Sequence, residues 1–236
     1  MFLKKLIKWL SRTFGNFLLT LGITLFILSF FASSALNNLD SLKNTLVNEL
    51  TTDDVLSEIS GIDIKQAREL CKTNPALEEC KRLNDIKNEF ANNTEVNNLL
   101  NKAGGYSKYL LPLRILSFVL FILGFLFIFL GSEFSLFLAG KKVALSAAIT
   151  SLFAVIYYKL LPNLFESVFN SAQIQEKLKE FSSVIVEKVK NIVINWITLQ
   201  LNSAFKIALI LTVVFALIFI ALKIYEKKKG KEKISN

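Results

Sequence analysis

Cys71 and Cys80 are the only cysteines in the chain, and no histidine accompanies them. They flank Lys72-Thr73-Asn74-Pro75, where Asn74 reads as a helix N-cap and Pro75 as the first helical residue. One cysteine then closes a helix and the other falls in the second turn of the next, within bridging reach. A disulfide closing a loop of that length stabilises a fold by roughly 2 to 3 kcal/mol. Two free thiols are the alternative. A metal site lacks ligands without histidine, and redox pairs are usually spaced Cys-x-x-Cys, whereas eight residues separate these.

The carboxylate pairs Asp53-Asp54 and Glu78-Glu79 offer no stronger chemistry. Sequence neighbours diverge by about 100° around a helix, so each pair reads as solvated charge favoured by the dipole at a helix start. No Ser-His-Asp, Cys-His or histidine–metal constellation can form, and there is no glycine-rich phosphate loop. The chain is therefore expected to be non-enzymatic, with no cofactor, no bound metal and no nucleic-acid partner.

The elements that carry these residues are dominated by four apolar runs with uncharged centres, at 14–36, 108–131, 143–161 and 205–222. A bilayer core about 30 Å thick needs roughly 20 apolar residues in a helix, and every backbone group must be satisfied within it. With 53% hydrophobic residues and 21 Phe against 9 Gly and 3 Pro, the composition suits long helices with few interruptions. The predicted fold is an all-α polytopic membrane protein with four transmembrane helices and two helical extracytoplasmic segments. Asn16, Thr20 and Thr24 share a face of the first run, at depths similar to Ser146 and Thr150 of the third. They are candidates for interhelical hydrogen bonds or for the lining of a narrow polar path. Ala144, Ala147, Ser151 and Ala154 form a small-residue face that would set the third helix at the centre of the bundle. The second run, nearly all Phe, Leu and Ile, is expected to face lipid. Arg114, Lys159 and Lys206 lie at span ends and can snorkel.

Charge sets the expected orientation. Lys4, Lys5, Lys8 and Arg12 precede the first span, Lys141 and Lys142 follow the second, and Lys223, Lys227, Lys228, Lys229, Lys231 and Lys233 follow the fourth. Only Glu133, Glu226 and Glu232 oppose them there, whereas acidic residues outnumber basic ones between 37 and 107. The positive-inside rule then puts both termini (1–13 and 223–236) and a 132–142 turn in the cytoplasm of a cell membrane, against anionic headgroups. Leu3, Leu6, Ile7 and Leu10 beside the lysines read as an interfacial helix, and the apolar stretch after them is too long for a cleaved signal. Richness in Lys, Ile and Asn points to an AT-rich prokaryotic genome.

Both outer segments read as helical. In 37–107, Thr52 and Thr94 are expected to cap helices, Asp63 with Gln66 to form a capping box, and Gly61 and Gly104-Gly105 to end helices. Leu77, Leu83, Ile86 and Phe90 recur at near-helical spacing as its core. Within 162–204, Ile174, Leu178, Phe181, Ile185, Val189, Ile192, Trp196 and Leu199 form the stripe of one amphipathic helix of about 25 residues running into the fourth span. The stripe packs on the first segment or meets a partner. The favoured function is a non-enzymatic envelope protein whose spans anchor an outer helical domain for protein interaction or self-association. The alternative is a subunit of an oligomeric pore or passive transporter.

Overall fold

The computed structural model describes residues 2–61, 63–73, 78, 80, 81, 85, 88, 94–171, 174, 176 and 182–232, and no strand occurs among them. The helices are α1 (Phe2–Asn37), α2 (Leu39–Leu50), α3 (Asp53–Ser60), α4 (Ile64–Thr73), α5 (Thr94–Gly105), α6 (Leu110–Gly131), α7 (Leu136–Phe169) and α8 (Ser183–Glu232), with a 3-10 turn over Tyr106–Tyr109. Four of them, α1, α6, α7 and α8, are long and apolar enough to cross a membrane. The protein is thus all-α, with the four apolar helices of a multi-pass membrane protein. It divides into a span unit (Met1–Ser33, Lys108–Leu160, Leu201–Asn236) and a short-helix unit (Ser34–Ser107, Leu161–Gln200).

In the span unit α1 and α6 pack closely, and the cause is a heptad of small residues on each. Gly15, Gly22 and Ser29 recur every seventh residue on α1, as Ser117, Gly124 and Gly131 do on α6. The helices run antiparallel with these stripes apposed. A Cβ on Gly15 would lie 2.8 Å from Gly124 O, and one on Gly22 would lie 2.7 Å from Ser117 O. Gly131 abuts the Arg12 side chain. A seven-residue repeat is the period that keeps such a seam facing its partner along the whole contact. The second span therefore does not simply face lipid: Ser117, Gly124, Ile128 and Gly131 are buried. Its bulky residues mask this face in the sequence because the contact needs only one small residue per two turns.

On α7, Ala144, Ala147 and Ser151 are buried as part of the same unit, together with Ala139 and Val143. Ala154 is half-buried. The α8 helix presents buried Leu201, Ala204 and Ala208, and meets α6 through Phe121–Phe215 at 6.3 Å between ring centres. It meets α7 through Phe137–Tyr225 at 5.7 Å and the Lys141–Glu226 ion pair at 2.6 Å.

Three boundaries differ from expectation. The turn expected at 132–142 is only Ser132–Ser135, because Ser135 Oγ accepts the Leu138 N–H at 3.3 Å and starts α7 there. Glu133 and Phe134 take left-handed backbone conformations, both at φ 60°, to reverse the chain in so few residues. At the other end, α7 runs through Pro162 to Phe169 instead of stopping at Leu161. Proline removes a single N–H donor, and the apolar residues beyond it sustain the helix. Finally, the stripe of 174–199 is not one helix. Ser182 is non-helical and its carbonyl accepts the Val186 N–H at 3.0 Å, so α8 begins at Ser183 and then continues unbroken to Glu232.

In the short-helix unit, α2 packs on α3 and α5, and α3 on α4. Val55, Leu56, Ile64 and Ala67 fill its core. Asp63 caps α4 by accepting the Lys65 and Gln66 N–H groups at 3.0 and 3.2 Å. Gly61 ends α3 at φ 66°, a conformation glycine adopts without steric penalty. Thr52 stands at the α3 N-cap, but its hydroxyl donates to Glu49 O at 2.9 Å and caps nothing. Thr94 is the first residue of α5, not a cap before it, and Gly104-Gly105 end α5 only for the chain to re-enter helix at Leu110. Cys71 and Cys80 form a disulfide, with Cα atoms 5.6 Å apart. The Asn74-Pro75 cap and the core positions Leu77, Leu83, Ile86 and Phe90 lie outside the described residues.

Candidate functional site

The α2 helix and the 183–200 portion of α8 lie side by side, and the residues that join them leave a groove between. At one end Trp196 Nε1 donates to Asn38 O at 3.1 Å. Gln200, almost fully buried, accepts at Oε1 from Ser34 Oγ at 2.7 Å and from Asn38 Nδ2 at 3.1 Å. At the other end Lys188 Nζ donates to Thr52 Oγ1 at 2.8 Å, and Ser182 donates to the Glu58 carboxylate. Between these clamps is an opening of about 390 Å³, walled by Ser41, Thr45 and Glu49 on α2 and by Lys188, Asn191, Asn195, Trp196 and Leu199 on α8. Its walls mix amides and hydroxyls with one charge of each sign, and Trp196 and Leu199 give it an apolar end.

The predicted stripe divides across this region. Ile192 is buried, Ile185, Val189 and Trp196 are half-buried, and Leu199 is exposed. Ile174 is half-buried, while Leu178 and Phe181 lie outside the described residues. Of the stripe, Ile192, Trp196 and Leu199 border the groove. The polar wall residues Asn191 and Asn195 lie off the apolar stripe and are not among the residues the sequence singles out. Their signal is two asparagines at i and i+4 flanking the stripe of a helix in which asparagine is a poor former.

Among the span residues, Thr20 Oγ1 and Thr150 Oγ1 are 3.3 Å apart and link α1 to α7. Asn16 and Thr24 are exposed on α1, and Ser146 is half-buried on α7. Ser151 turns its hydroxyl back onto Ala147 O at 2.7 Å, leaving its helix face effectively apolar. At the base of this unit Lys8 pairs with Glu133, and Arg12 Nε donates to Gly131 O at 2.7 Å. The Lys8 hydrogen bond, and then its charge, hold the Glu133 carboxyl below the usual carboxylate range. Of the three cations at span ends, Arg114 turns Nε toward Ser29 Oγ at 3.4 Å, with its guanidinium 4.9 Å above the Phe30 ring.

No protein-family model, no curated protein and no solved structure matches this chain.

Proposed function

We propose that the protein is a non-enzymatic, multi-pass assembly protein of the cell membrane. Both termini lie in the cytoplasm, and the short-helix unit on the outer side takes a segment of a partner protein into the α2–α8 groove. The groove is the observation that carries this reading: two charged side chains of opposite sign, four amide or hydroxyl side chains and an apolar end suit an amphipathic peptide segment. The charge asymmetry supports the orientation. The absence of histidine, and the use of both cysteines in a disulfide, support a role without catalysis. A photo-crosslinking amino acid at Thr45 or Asn195, introduced in the native cell, should yield one discrete adduct that Trp196→Ala abolishes. Adducts no different from those formed at Leu164, outside the groove, would remove the reading.

A second reading, a pore built from several copies, draws on the exposed Asn16 and Thr24 beside the Thr20–Thr150 contact. Polar side chains at a lipid-facing seam favour association with another helix. Liposomes holding folded protein that stay tight to ions and small solutes would exclude it.

A further inference from the structure

The contact of Gly22 with Ser117 leaves space beside it. A cleft of about 150 Å³ opens there between α1, α6 and α8, bounded by Gly22, Phe26, Ser117, Phe121, Leu211 and Phe215. It is apolar in practice as well as in composition, since the one hydroxyl in its wall, that of Ser117, is spent on Arg114 O at 2.7 Å. A space lined by such residues suits hydrocarbon better than water. Arg114 stands two turns from Phe121 along α6, about 10 Å at 1.5 Å per residue. Contacts connect the two places without a gap: the guanidinium lies over Phe30, and Phe30 packs edge-on against Phe26, a wall of the cleft, at 5.1 Å. Among the described residues, only Nε of Arg114 is engaged by a hydrogen bond and no carboxylate pairs with it. A half-buried guanidinium at a span end, with its two amino groups unclaimed, is matched by a phosphate, which it can grip bidentately.

We propose that Arg114 and this cleft form a binding site for one anionic phospholipid, with the phosphate on the Arg114 guanidinium and an acyl chain running down past Gly22 and Ser117 between α6 and α8. The site lies at the opposite end of the span unit from the Lys8–Glu133 pair, so it is distinct from the basic rim. It does not depend on the partner reading above.

Full-length protein, stripped of lipid in neutral detergent, is offered phosphatidylglycerol, phosphatidylcholine with the same chains, or glycerol 3-phosphate. Retained lipid is counted by native mass spectrometry and thermal stability is measured in parallel. Wild type should hold one phosphatidylglycerol about tenfold more strongly than phosphatidylcholine, because both present a phosphate to the guanidinium but the choline cation of the second repels it and offsets the attraction, and should gain no stability from glycerol 3-phosphate. Arg114→Gln should erase the preference for that one lipid and Arg114→Lys should keep part of it. Leu211→Trp, which fills the cleft, should lower retention of both lipids. Lys159→Gln, which removes a cation outside the cleft, should change nothing. Equal retention of the two lipids by wild type overturns the proposal whether or not the variants fold. Folded Arg114→Gln that keeps the full preference, folded Leu211→Trp with undiminished retention, or an equal shift from glycerol 3-phosphate would each do the same.

Discussion

Gly124 shows what a single atom decides in this protein. In a helix interior, replacing glycine by alanine normally stabilises by about 0.5 to 1 kcal/mol. At Gly124 the new Cβ would lie 2.7 Å from Leu19 N and 2.8 Å from Gly15 O, both backbone atoms that cannot rotate away. Gly124→Ala should therefore destabilise, by the roughly 1 to 3 kcal/mol typical of overpacking, while Gly104→Ala, with nothing within 4 Å, should be neutral or stabilising. Thermal unfolding of the two variants in one detergent checks the reversal of sign. Glu133 offers a second test. Its carboxyl titrates below the usual range when folded, so its pair with Lys8 contributes stability above the unfolded value, near 4.3 for glutamate, and loses it as pH falls through the folded one. The gap in melting temperature between wild type and Glu133→Gln should hold steady from about pH 7 to 5 and close below about pH 4. Both side chains are partly solvated, so the gap will be small. A gap that widens in acid would contradict the assignment.

At the scale of elements, the Cys71–Cys80 bridge ties the end of α4 to the chain beyond it in a unit built of short helices. Helices of 8 to 12 residues, such as α2 to α5, are marginal alone and depend on packing and covalent closure. Cys71→Ser and Cys80→Ser should each lower the stability of this unit by about 2 to 3 kcal/mol, and the double variant should add little to either. Additive losses would mean that each cysteine contributes by packing rather than through the bond. The long helices behave differently. Pro162 does not stop α7 and no break separates the amphipathic and apolar parts of α8, because each lost or strained bond is outweighed by those on either side.

For the whole molecule, the distribution of lysine and arginine carries the orientation. Cysteine placed at Lys229 in a background lacking Cys71 and Cys80 should react with an impermeant maleimide only from the cytoplasmic face, and cysteine at Glu95 or Glu180 only from outside. Labelling of position 229 from outside would invert the arrangement proposed for the groove and its partner.

The amino-acid sequence by itself determined the class of this protein. Long uncharged apolar runs have no satisfactory state other than a helix in lipid, and hydropathy averages over so many residues that no single contact can overturn it. Local chemistry was legible too wherever it spans a few residues: the Asp63 cap, the Gly61 stop and the cysteine pair all depend on neighbours in the chain. Tertiary structure decided which faces meet. The α1–α6 seam needs Gly15 opposite Gly124 and Gly22 opposite Ser117, residues separated by about a hundred positions, and neither stripe declares its partner. The groove and the cleft beside Gly22 each likewise join residues far apart in the chain, for a concavity is made by what two or three elements fail to fill together. Boundaries fell between these extremes. The start of α7 at Leu136 rests on the local cap of Ser135, whereas Ser182 before α8 turns its hydroxyl to Glu58, a residue far away in the chain.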